Sequence, residues 1–105
     1  MYQVVLCTCP DKVIAEKIAK HLVVDKLAAC VNILPDITSI YSWQENIECA
    51  HEVQLLIKSK AVLFDQLCKS INSLHPYETI EIIALNIQQG DEKYLNWIAN
   101  SVKKI

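Results

Sequence analysis

The chain has 105 residues, 52% of them hydrophobic and only one a glycine, with ten basic and twelve acidic side chains leaving a formal charge of −2. That length forms one domain, residues 1–105, with apolar mass enough for a real core, and the composition excludes a disordered or low-complexity chain. No basic run predicts a nucleic-acid or lipid-surface partner, and no long apolar stretch predicts a signal peptide or a membrane span.

Tyr2 to Cys9 is rich in β-formers and reads as a strand. Pro10-Asp11 then opens a helix, with Asp11 as its N-cap. Ile14, Ile18 and Leu22, with Ala15 and Ala19, make its apolar stripe, while Lys12, Glu16, Lys17 and Lys20 face water. Leu27 to Leu34 is apolar on both faces and is punctuated by Pro35-Asp36. Ile37 to Trp43 continues as strand, Gln44-Glu45-Asn46 supplies a turn, and Ile47 to Ile57 returns, which makes a long hairpin. Ser59 is placed as the cap of a second helix with the stripe Phe64, Leu67, Cys68, Ile71 and Leu74. Ile80 to Ile87 is a further strand. Gly90-Asp91 starts a last helix that turns Tyr94, Leu95, Ile98 and Val102 inward.

The order β-α-β-β-α-β-α predicts an α+β fold: a ferredoxin-like βαββαβ sandwich with an added C-terminal helix and a long β2–β3 hairpin. Its sheet should run in strand order 4-1-3-2, with helices on one face. The other face ought then to be polar, yet Val4 and Leu6 oppose Val5 and Cys7, and Ile80 and Ile82 oppose Ile83 and Leu85. Three helices cannot cover both faces, so another subunit is expected on the second. Tyr41, Trp43 and Ile47, near the hairpin tip, belong to that expected interface.

Chemistry concentrates at Leu74-His75-Pro76-Tyr77-Glu78, between a helix and a strand. One reading is a helix stop, since Pro76 disfavours helical geometry at His75 and the polar groups satisfy loop backbone. The other is coordination or polar recognition at a cleft. Topology favours a meeting, because strand 4 begins where its antiparallel neighbour, strand 1, ends. His75 to Glu78 should therefore lie near Cys7-Thr8-Cys9. Cys7 and Cys9 share one face of strand 1, as two small core residues or as soft-metal donors. A thiolate–imidazole set selects copper or zinc over magnesium or calcium. Five cysteines without a CxxC pair indicate a reducing cytoplasm rather than a disulfide framework. His21 and His51 sit in solvated contexts. Glu81 interrupts an apolar strand, either at an edge or paired in a cleft with Lys58 or another subunit. No GxSxG, HExxH or phosphate-binding glycine loop is present, so the chain does not read as an enzyme.

Several stretches carry a family resemblance: Val5-Leu6-Cys7-Thr8, Lys26 to Asn32, Ser39 to Trp43, Glu52 to Lys58, His75 to Glu78 and Tyr94 to Ile98. In order and spacing the chain resembles the CutA family of divalent-cation tolerance proteins, nearly end to end. The resemblance implies an interlocked homotrimer similar in architecture to PII signalling proteins, a role in tolerance of copper and other divalent metals, and copper ligation at Cys7 and His75. A family His before His75 is replaced by Leu74, which leaves Cys9 as the candidate third donor. The usual Pro after the Thr of this motif is also replaced, by Ile80. The alternative reading is a PII-like sensor that binds a small molecule or anion in inter-subunit clefts through Lys58, Tyr77, Glu78 and Glu81.

Overall fold

A computed structural model describes residues 1–105. Strand β1 (Tyr2–Cys9) leads into helix α1 (Lys12–Val24); β2 (Cys30–Trp43) and β3 (Asn46–Lys60) form the hairpin; helix α2 (Phe64–Leu74), strand β4 (Ile82–Asn86) and helix α3 (Glu92–Ser101) complete the chain. The sheet order is β2-β3-β1-β4 with every pairing antiparallel, the expected topology.

Local chemistry accounts for the helix ends. The Asp11 carboxylate accepts the Ile14 N–H at 2.9 Å and caps α1, and Asp91 accepts the Tyr94 N–H at 3.1 Å to cap α3. At the other end of α1, Lys26 takes φ 59°, and the Leu27 N–H reaches back to the Leu22 carbonyl at 2.9 Å. Together with Lys26 N–H to Val23, this is a Schellman closure made without glycine. It reverses the chain and delivers Leu27, Ala28 and Ala29 into the core.

The helices cover one face of the sheet. Val5, Cys7 and Cys9 of β1 and Val53, Leu55 and Ile57 of β3 point into that layer, against Ile18 and Leu22 of α1 and Leu67 and Ile71 of α2. Side chains alternate across a strand, so Val4, Leu6, Leu56, Ile83 and Leu85 project from the opposite face. Ile83 and Leu85 are 51% and 55% exposed there. The sheet is apolar on both sides, and one side is bare.

Four sequence expectations shift. Ser59 does not cap α2: it ends the buried face of β3, where its hydroxyl donates to the Leu27 carbonyl at 2.6 Å. A single 3₁₀ turn at Ala61–Leu63 then starts α2 with no side-chain cap. Tyr94 lies exposed on the outer side of α3, stacked on Trp97 at 5.7 Å, so Leu95, Ile98 and Val102 alone carry the inward stripe. Pro35-Asp36 does not divide a strand. It forms a bulge, with Asp36 at φ 57°, and β2 runs through it as one element. Finally, β4 begins at Ile82, because Ile80 and Glu81 are still leaving the Pro76 turn.

Candidate metal centre

Helix α2 ends where the sequence forces it to. His75 precedes a proline and adopts φ −87°, ψ 136°, while its N–H still closes on the Ile71 carbonyl at 2.9 Å. The extended geometry turns its ring under the end of β1. There Nε2 donates to the Thr8 carbonyl at 2.7 Å, and Nδ1 accepts the Tyr77 N–H at 3.1 Å. These partners define the neutral tautomer protonated at Nε2. The Tyr77 ring leans on the imidazole with centroids 4.7 Å apart.

Cys7 and Cys9 come from alternate positions of β1 and are both fully buried on the helical face. Their sulfurs and a ring nitrogen of His75 lie within 4.8 Å of one another. The two thiols sit side by side in the core. Their mutual interaction, reinforced by burial, pushes the Cys7 thiol far above its usual range and, acting in the other direction, lowers the Cys9 thiol.

The donor set suits a soft or borderline ion. With metal–sulfur bonds near 2.3 Å and metal–nitrogen bonds near 2.0 Å, donors around a three-coordinate ion sit roughly 4 Å apart. The three atoms must therefore draw together by less than about 1 Å. His75 must also release one of its two hydrogen bonds, because both nitrogens are engaged. Leu74 is half-buried against the core and supplies no donor.

On the other face of β1 lies a cleft of about 410 Å³. Tyr77 connects the two places: its N–H serves His75, and its hydroxyl donates to Glu52 Oε2 at 2.7 Å. Burial, then the bond to Glu52 and its negative charge, push the Tyr77 phenol well above its usual range. Glu81 also lines the cleft, with Thr8 and Thr79, and Ser39, Ile40 and Tyr41 of β2 form the far wall.

Lys58 and Glu78 do not join them within the subunit. Lys58 shares a sheet face with Glu52 but lies six residues along β3, about 20 Å away at 3.3–3.4 Å per residue. There it donates to Asn32 Oδ1 and approaches the Cys30 sulfur at 3.9 Å. Strand parity was readable in the sequence; the position along the sheet followed only from the register. Glu78 is exposed on the turn and outside the cleft lining. Tyr41, Trp43 and Ile47 stand exposed on the hairpin at 45%, 57% and 76%.

Glu52 and Thr8 are the site residues that sequence reasoning missed. An acidic residue facing outward at the start of an otherwise apolar strand segment was the available signal.

Residues 3–101 match the CutA1 divalent ion tolerance protein family. The chain is 46% identical to Protein CutA of Mus musculus over 91 residues, covering 87% of this chain and 51% of the mouse protein. It is 46% identical to the divalent-cation tolerance protein CutA of Thermus thermophilus over 98 residues, covering 93% of this chain and 95% of that one. The crystal structure of CutA1 from Oryza sativa superposes with a TM-score of 0.97 at 38% identity, covering 99% of this chain and 95% of the rice chain. The chain thus spans about half the length of the mouse relative and nearly all of the Thermus one. With the match running from β1 to the end of α3 and the backbone shared along its length, the chain belongs to the CutA1 divalent ion tolerance family.

Proposed function

We propose that the protein is a cytoplasmic homotrimer that binds copper, or alternatively zinc, through Cys7, Cys9 and His75, and that it serves in tolerance of divalent metal ions. The observation that carries the metal reading is the convergence of two buried thiols and a buried imidazole, whose donor atoms lie within 4.8 Å of one another. Relatives bearing the name divalent-cation tolerance protein support the role. A bound ion would supply the positive charge that thiolates at this buried position need.

Binding rather than catalysis fits the burial. A substrate cannot reach sulfurs of residues with no exposed surface. The trimer reading rests on the bare apolar sheet face and on the hairpin. Beyond Val53, which pairs with Cys9 at the end of β1, β2 and β3 continue as a two-stranded ribbon with apolar side chains in water. Such a ribbon is marginally stable alone, and further copies of the chain would cover it.

The test is titration of the reduced, metal-free protein with Cu(I), Cu(II) and Zn(II). Cys7→Ser and His75→Ala should each weaken binding by about tenfold or more, as loss of one ligand or its support does. Copper affinity unchanged in both variants would place the site elsewhere.

A further inference from the structure

The three donors of the metal centre stand without a fourth. No further Cys, His, Asp or Glu side chain joins Cys7, Cys9 and His75. The one thioether of the chain, Met1, precedes the opposite end of β1 from Cys9. The polar groups around His75 are engaged elsewhere: the Thr8 carbonyl accepts from Nε2, and the Tyr77 hydroxyl donates to Glu52 on the other side of the sheet. Cys7 and Cys9 have no exposed surface and His75 is 7% exposed, so burial leaves no solvent-facing position for a water ligand. Both sulfurs belong to the helix-covered face, within the core of the single subunit, and this closure is independent of how subunits assemble.

We propose that Cys7, Cys9 and His75 form a three-coordinate site for monovalent copper, which discriminates against Zn(II) and Cu(II) by withholding a fourth ligand. The inference rests on the metal reading above and goes beyond it by fixing the oxidation state and the coordination number. Donor count and donor softness decide between the ions. Zinc in a closed protein site is almost always tetrahedral, and divalent copper takes a square or tetragonal set rich in nitrogen and oxygen. Each would be one ligand short here, with sulfur as two of the three donors. Monovalent copper has a filled d shell and no demand for a particular geometry, is selected by soft thiolates, and is satisfied by few ligands. The ion is taken up already reduced, so no electron transfer is asked of the thiols.

The test sets the reduced, metal-free protein in its native assembly, without oxygen, against bicinchoninate for Cu(I) and against a zinc-binding dye for Zn(II). One Cu(I) per subunit is expected, bound roughly a hundredfold or more tightly than Zn(II), the upper end of what a deficient metal shell costs. X-ray absorption of the copper-loaded protein should show a shell of two sulfurs and one nitrogen. That measurement needs no variant, so it decides the matter even where a core substitution unfolds the chain. Cys9→Ser should lower Cu(I) affinity by at least about tenfold. Zn(II) or Cu(II) bound as tightly as Cu(I), and weakened in Cys7→Ser, would overturn the proposal while leaving the metal reading intact. A fourth light atom in the copper shell would do the same. Cu(I) affinity unchanged in both Cys7→Ser and His75→Ala would overturn the proposal and the metal reading together.

Discussion

His75 is the residue on which the site turns, and its two hydrogen bonds set what it can do. In the metal-free protein the ring props the end of β1 against the Pro76 turn, so His75→Ala should lower stability as well as metal affinity. Cys9→Ser tests the third donor. If Cys9 is the third donor, its loss should weaken copper binding, while the hydroxyl it buries in the core should also lower apo stability by about 1–3 kcal/mol. The thiols also give the pH dependence a sign. Cys7 and Tyr77 hold their protons in the folded protein well above the ordinary values of 9.0 and 10.0. The unfolded chain releases these protons near those values, so it binds fewer protons there and stability falls as pH rises. The lowered Cys9 acts in the opposite direction, as a folded-state thiolate whose contribution is present at high pH and fades as the pH falls through its folded value. Denaturation between pH 8 and 11 should show a net loss, flattened in Cys7→Ser and Tyr77→Phe. A parent protein equally stable across that range would contradict the raised Cys7 thiol and Tyr77 phenol.

At the scale of the element, β3 organises the molecule. Its residues alternate between the core face, Val53 to Ser59, and the bare face, Glu52 to Lys58. Ser59 shows why a helix-cap pattern misleads when a strand runs long. The hydroxyl satisfies the Leu27 carbonyl inside the protein, and Ser59→Ala should cost about 1–3 kcal/mol in chemical denaturation by leaving that acceptor unpaired. The hairpin turn is another departure from the usual residue preference. Gln44 and Glu45 occupy φ 48° and 67°, the left-handed pair of a two-residue turn that Asn-Gly normally fills. Each such residue costs on the order of 1–2 kcal/mol, so Glu45→Gly should raise stability by up to about 1 kcal/mol once the added freedom of the unfolded chain is counted. A lower melting temperature in that variant would mean that Glu45 makes a compensating contact in the assembly.

For the whole molecule, exposed apolar surface is the feature that needs a partner. Ile40, Trp43 and Ile47 on the hairpin and Ile83 and Leu85 on the sheet are half to three-quarters exposed in the single chain. Sedimentation equilibrium should give a homotrimer, and the melting temperature should rise with protein concentration, because association then contributes to folding. Trp43→Ala should weaken the trimer far more than it alters the fold of the subunit. An undisturbed trimer would show that the hairpin aromatic stands outside the interface.

The sequence by itself determined the element order, the sheet topology and the doubly apolar character of the sheet. These follow from local periodicity, from caps such as Asp11 and Asp91, and from the restriction Pro76 places on His75. It also indicated that the end of β1 meets the start of the 75–81 turn, since antiparallel neighbours leave little choice. Tertiary structure alone decided the rest. Register placed Lys58 far from Tyr77 although both lie on one side of the sheet, and it brought Glu52, a residue given no role from the sequence, onto the Tyr77 hydroxyl. The engagement of both His75 nitrogens likewise depended on where the Thr8 carbonyl pointed. Period and propensity are properties of a segment, whereas distances between segments are set by the packing of the whole chain.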